Sequence, residues 1–292
     1  MKTKKIKYKS RKYKSRKYKS RKYKMRKTNK QTKINGGTII GTGTHGIIEI
    51  DETNTDWVLK KFSKLTINNC DKLQNEFNIQ QHLYNECYNI YVPNCCCFTE
   101  IATECYYKME RIFPLNELPH YFVINMANDN IYTNFSHSKT ALEVGINTLI
   151  KYNVDVSQLS FNIGKMFSKL HFVLNQDGYD CELLYGVIKN NTMFCLIDFD
   201  KIAHFEWKIG YKSYRKIDER TIIEKTLSTV SKFAWHLFGA MISMSLVPTN
   251  KTYQAEFIKG YSTFVYLEDT TDSSFKNNVY NEIINIINDY EP

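Results

Sequence analysis

The chain has 292 residues, 42% hydrophobic and 24% charged, enough to bury the core of one large domain or of two lobes. No apolar run reaches the roughly 18 residues of a membrane span, and the basic N-terminus lacks the apolar stretch of a secretory signal, so an intracellular protein with no membrane span is expected. The formal charge of +10 hides a division: residues 1–33 hold 18 Lys/Arg and no acid, leaving 22 basic against 30 acidic residues, a balance of −8, for the rest.

Within that tail, residues 8–27 repeat a five-residue unit, YKSRK three times and then YKMRK. A period of five fits neither a helix face nor a strand face, and the near absence of aliphatic side chains leaves too little to bury, so a disordered tail over 1–33 is expected. Lys and Arg neutralise phosphates and the interleaved Tyr rings stack on bases, which makes nucleic acid or another polyanion the expected partner. A nuclear-targeting patch, a tether to an anionic surface and a repeat without a specific role are the rival readings. Ser10, Ser15 and Ser20 lie in this basic context, where phosphorylation would weaken the charge. The eight cysteines contain no C-x-x-C pair, and Cys95, Cys96 and Cys97 are too close together to aim three thiolates at one tetrahedral ion. Free thiols in a reducing compartment are expected.

Residues 39–50, IIGTGTHGIIEI, place Gly41, Gly43 and Gly46 in G-x-G-x-x-G spacing. A dinucleotide fold requires a helix directly after such glycines. Here Ile47, Ile48 and Ile50 favour a strand, DETNTD reads as a turn, and WVLKKF reads as the next strand. Protein kinases cover the phosphates of ATP with glycines placed this way between two strands; a plain Gly-rich hairpin is the other reading. Lys60 closes Val58-Leu59-Lys60 at the position of a phosphate-binding lysine, and strand alternation turns Lys61 to the other face. In DKLQNEFNIQQHL, apolar residues at 73, 77, 79 and 83 mark a helix, and Glu76 is the candidate partner of Lys60. VPNCCCF and ATECYYKMERIFPL read as two further strands running into a linker. Tyr107-Lys108-Met109-Glu110 resembles a kinase gatekeeper and hinge, with backbone near Glu110–Ile112 facing an adenine edge. A five-stranded small lobe over 36–110 follows.

Residues 115–150 are polar and give no clear pattern. FNIGKMFSKLHFVL, 161–174, is apolar at helical spacing around Gly164 and reads as a buried central helix, with His171 as a packed core residue. Asp180 precedes Asp198 by 18 residues, a separation typical of the catalytic aspartate and the metal-binding aspartate of a kinase, and CLIDFD supplies the strand and Asp-Phe of the second motif. One carboxylate takes the proton of an acceptor hydroxyl while the other holds Mg²⁺ against phosphate oxygens. The chain departs from the pattern at Tyr185, where a metal-binding Asn is expected, at Glu182, often Lys in protein kinases, and at Asp200 in place of Gly. Downstream, 221–246 reads as one or two core helices, interrupted by Lys225, Lys232 and His236, and 252–264 and 276–289 as amphipathic helices.

This order and spacing resemble the protein-kinase-like fold. More closely, MERIFPL (109–115) and LHFVLNQDGYDCELLYG…CLIDFDK (170–201) resemble a fungal family of unknown function described as zinc-finger-associated, with motifs M-E-R-I-x-P-L, D-x-x-D-V-E-F-V-L-G and L-D-F-D/N. The match runs through Met109, Glu110, Arg111, Ile112, Pro114, Leu115, Leu170, His171, Asp177, Asp180, Glu182, Leu184, Gly186, Asp198, Phe199 and Asp200. It carries no activity, and no zinc-ligand spacing accompanies it. The expected fold is α+β and bilobal: tail 1–33, small β lobe with one helix 34–110, larger mainly helical lobe 111–292. The expected site has Asp180 and Lys60 as catalytic residues. Gly41, Gly43, Gly46, Lys60, Glu76 and Glu110 hold ATP, and Asp198, Glu182 and Asp200 hold Mg²⁺. The alternative is an inactive pseudokinase or scaffold that acts through its tail.

Overall fold

Short β-branched and aromatic runs, each closed by a turn, build the first sheet. Strands β1 (Ile39–Thr42), β2 (Ile47–Ile50), β3 (Trp57–Lys61), β4 (Cys95–Ile101) and β5 (Glu104–Glu110) pair antiparallel in the order β1-β2-β3-β5-β4. The β2–β3 turn is set by Asp51, whose side chain accepts from the Thr53 N–H at 2.9 Å and hydroxyl at 2.6 Å and pairs with Lys108 at 2.6 Å. Helix α1 (Ile67–Leu83) follows β3 and buries Leu73 and Phe77 against Val58, Cys95, Tyr107 and Met109. These five strands and one helix match the sequence expectation. The computed structural model describes residues 38–42, 46–62, 67–86, 89–101, 104–115, 118, 120–134, 141–205, 207, 229–265 and 273–290, all within one compact unit of residues 36–292. The expectations for the tail, for Gly43 and for 221–228 lie outside the described residues.

One expectation is corrected. Cys70 of α1 and Cys105 of β5 form a disulfide, with Cα atoms 5.7 Å apart, so the thiols are not all free. The described residues beyond 111 are mainly helical, as expected, and add a second five-stranded sheet that the sequence did not announce. Its strands are β6 (Tyr121–Ile124), β7 (Tyr132–Asn134), β8 (Ala141–Val144), β9 (Glu182–Ile188) and β10 (Asn191–Ile197), in the order β10-β9-β6-β8-β7. β6 and β8 run parallel and the remaining pairs antiparallel. The β9–β10 hairpin turns through Lys189 and Asn190, both at positive φ (49° and 66°), as a two-residue turn between right-twisted strands demands. Gly186 lets the segment after β5 lie on β9: a Cβ there would come within 2.6 Å of Ile112 Cγ2 and 2.8 Å of the Phe113 carbonyl.

The main core lies among α2 (Ile146–Lys151), α3 (Val156–Phe172), α4 (Thr229–Ser243), α5 (Lys251–Tyr261) and α6 (Ser273–Asp289). α3 starts five residues before the sequence expectation because Asp155 caps it, accepting from the Gln158 N–H at 2.9 Å. α3 and α5 touch through two glycines: a Cβ at Gly164 or at Gly260 would lie 2.0 Å from the opposing carbonyl of Phe257 or Phe161. His171 is a packed core residue, as expected. Its Nδ1 lies 2.7 Å from the Tyr261 hydroxyl and its Nε2 3.2 Å from the Asp177 carbonyl, and burial pushes its pKa down to about 4. Among the described residues no helix is long and apolar enough to cross a membrane.

Candidate functional site

A cleft of about 510 Å³ opens between the first sheet and the end of the second. Ile40, Gly41, Gly46, Ile48 and Val58 line it from β1–β3, and a Cβ on Gly46 would stand 3.7 Å from Lys60 Cε. Strand alternation separates the two lysines as expected. Lys61 pairs with Glu49 at 2.5 Å, whereas Lys60 enters the cleft. There Lys60 Nζ donates to Glu76 Oε1, and to Asp198 Oδ1 at 2.9 Å. Burial would push the Lys60 pKa down, but the Asp198 and Glu76 carboxylates outweigh it and hold that pKa well above the ordinary lysine value. Glu76 reaches Lys60 because α1 is pinned to the sheet by its apolar face and by the Cys70–Cys105 bond.

The expectation at Glu110–Ile112 concerns backbone groups, and the Glu110 side chain takes no part in the cleft. Its carboxylate is buried away from the cleft, where it accepts from the Tyr91 hydroxyl and from the Asn94 N–H at 2.8 Å and pairs with Lys189 at 2.5 Å. The cleft is lined instead by Met109, Arg111 and Ile112 on either side of it. Alternation along β5 explains this: Met109 faces the cleft and the Glu110 side chain faces away, where it anchors the start of the linker. Tyr185 does not fill the cleft either. It stacks on Phe194 with centroids 4.5 Å apart.

The opposing wall is the loop 177–181, the start of β9 and the residues after β10. Asp180 and Asp198 both take positive φ, 64° and 66°, an uncommon conformation that aspartate tolerates better than most residues. Asp180, Glu182, Asp198 and Asp200 line the cleft together with Lys201. Lys201 Nζ pairs with Asp180 Oδ2. Burial and then the Asp198 charge push the Glu182 carboxyl up to about 7, against the pull of Lys60. Among the described residues no group of three or more His, Cys, Asp or Glu is arranged to hold a metal ion. Glu182, Asp198 and Asp200 therefore share a wall without converging on one point, and one oxygen of Asp198 is engaged by Lys60.

Sequence reasoning missed two residues of this wall. Asp177 is fully buried; its Oδ1 accepts from the Tyr179 N–H at 3.1 Å and the Ala203 N–H at 2.9 Å, and its Oδ2 lies 3.3 Å from His236 Nε2. Those bonds overcome burial and hold its pKa low. It joins the loop before β9 to the segment after β10. Asp177 lies three residues before Asp180, and that D-x-x-D spacing is the signal the sequence offers for it. Asp177 is sealed from the cleft, and Asp180, 34% exposed, stands in it instead. Lys201, the other missed residue, sits one place past the D-F-D motif and 21 residues from its partner.

No protein-family model matches the chain, and a search of curated proteins likewise finds no match.

Proposed function

We propose that the cleft binds a nucleoside triphosphate with a divalent cation, in the manner of the bilobal protein-kinase-like fold, and that the chain is an ATP-dependent phosphotransferase of unidentified acceptor. The observation that carries this reading is Lys60 held between Glu76 and Asp198, partners 16 and 138 residues away, beside Gly46 at the cleft mouth. A phosphate-binding lysine needs such carboxylates to fix its ammonium in a dry site, and a kinase requires its lysine–glutamate pair and metal-binding aspartate in place together. The strand order β1-β2-β3-β5-β4 with one helix after β3 supports the same reading. So do Met109 and Ile112 lining the cleft where an adenine edge would lie.

The donor set fits Mg²⁺ that arrives with phosphate better than a resident ion. Mg²⁺ takes one or two carboxylates and completes its shell with phosphate oxygens and water. Asp198, Glu182 and Asp200 offer carboxylates without a closed three-ligand cage. When bound, the ion neutralises charge on the phosphates. Lys60 would hold those phosphates, and Asp180 would orient the acceptor hydroxyl and take its proton.

The second reading is a pseudokinase or scaffold whose tail, 1–33, binds nucleic acid or another polyanion. One observation favours it: four carboxylates line the wall that must admit a polyphosphate, and Glu182 adds a carboxylate where protein kinases often carry a lysine. Thermal unfolding of the full chain with and without Mg²⁺-ATP separates the two, beside Asp198→Asn. The tail attracts ATP in both proteins, so the decisive part of the shift is what the variant loses. Ligand at ten times Kd stabilises by about 1.4 kcal/mol. Loss of that shift in Asp198→Asn supports a working nucleotide site and justifies a search for acceptors; equal shifts in both proteins leave the scaffold.

A further inference from the structure

Lys201 has a fixed backbone and a partly exposed side chain. Its backbone lies in a segment fixed at both ends, because Phe199 and Ile202 are buried and Asp177 binds Ala203 through both side chain and main chain, the latter from Asp177 N–H to the Ala203 carbonyl at 3.0 Å. Its side chain is 42% exposed and reaches the cleft, where it pairs with Asp180. Two further cations among the described residues of the cleft, Lys60 and Arg111, are less mobile. Lys60 is 14% exposed and engaged by two carboxylates. Arg111 lies 4.5 Å over the Phe113 ring and donates to the Thr55 carbonyl at 3.2 Å.

Transfer of a phosphoryl group spreads negative charge over its peripheral oxygens, and a positioned cation there lowers the barrier. Glu182 occupies the position two residues after Asp180 that often supplies a lysine for this purpose. We propose that Lys201 supplies that cation from the downstream loop. Resting on the nucleotide reading above, the inference is that Lys201 leaves Asp180 for the terminal phosphate when Mg²⁺-ATP binds. A lysine suits the move, since its ammonium is a compact charge on a flexible stem. Release also frees Asp180. The acceptor O–H then gives its proton to Asp180, the acceptor oxygen bonds the terminal phosphorus, and the bond from that phosphorus to the bridging oxygen breaks, with ADP keeping the electron pair.

A contact to the terminal phosphate is legible in binding alone, without any acceptor. Affinities of the full chain for Mg²⁺-ATP and Mg²⁺-ADP would be compared in the native protein, Lys201→Met, Lys201→Arg and Asp198→Asn. Asp198→Asn gives the background contributed by the tail. Above that background the native protein is expected to prefer ATP about tenfold, equivalent to ~1.4 kcal/mol. Lys201→Met should lose that preference while its ADP affinity changes less than about threefold, and Lys201→Arg should retain most of it, a threefold change being ~0.65 kcal/mol. An unchanged ATP-to-ADP ratio in Lys201→Met, or equal weakening of both nucleotides, overturns the role of Lys201 and leaves the nucleotide site standing. Native binding no stronger than the Asp198→Asn background for either nucleotide removes the nucleotide site itself, and this role with it.

Discussion

On the first sheet each buried acid is matched by a lysine: Glu76 by Lys60 in the cleft, and Glu49 by Lys61 and Asp51 by Lys108 away from it. On the opposing wall, Asp180, Glu182, Asp198 and Asp200 stand around Lys201, and burial with a neighbouring carboxylate holds Glu182 partly protonated near neutral pH. A buried ion pair must be matched because either partner alone pays its desolvation unrelieved. A partly exposed excess of one sign can persist, relieved where the Glu182 carboxyl is raised toward its protonated form. The first wall is a matched frame; the second carries the unbalanced charge.

Breaking the frame should have the largest effect. Lys60→Met leaves Glu76, only 1% exposed, without its cation and should cost about 3–5 kcal/mol in urea unfolding. The double variant Lys60→Met/Glu76→Leu should recover most of that loss. A Lys60→Met protein of native stability would show that the pair is not a structural element. Reduction of Cys70–Cys105, which closes a loop of sequence separation 35, should cost roughly 3 kcal/mol, and Cys70→Ser/Cys105→Ser should no longer respond to dithiothreitol.

On the opposing wall a neutralising change should act with the opposite sign. Glu182 is raised from its ordinary 4.5 to about 7 in the folded chain. Between those values the folded state holds the extra proton, so this contribution to stability is complete below pH 4.5 and is lost as pH rises through 7. Glu182→Gln should therefore stabilise the nucleotide-free protein at pH 8 by about 1–3 kcal/mol and leave it unchanged near pH 4.5, read from urea midpoints. A loss of stability at pH 8 would mean that Glu182 is held by favourable bonds rather than crowded by carboxylates.

The frame was legible because its signals are local. Glycines between β-branched runs, a lysine three residues into a strand and a glutamate on an apolar-periodic helix each announce themselves within a few residues. The opposing wall depends on pairings that no short window contains. β6 and β8 are four residues each and pair in parallel, so the stretch 115–150 offered no alternation long enough to read. Cys70 and Cys105 meet only because α1 folds back onto β5. Asp177 was passed over in favour of Asp180, since only packing shows which of two nearby aspartates is sealed and which is open.

The smallest effect sharpens the contrast between the two lysines. Lys201 and Asp180 are 42% and 34% exposed, and a solvated pair of that kind contributes little, because water and salt screen it and two side chains must be ordered to form it. Lys201→Met should shift the urea midpoint by less than about 0.5 kcal/mol, against several for Lys60→Met. The two substitutions remove the same charge from the same cleft, so the difference reports burial together with the second carboxylate that holds Lys60. A Lys201→Met loss as large as that of Lys60→Met would make the Lys201–Asp180 pair part of the frame, and an ammonium fixed in the frame could not leave Asp180 to meet a phosphate.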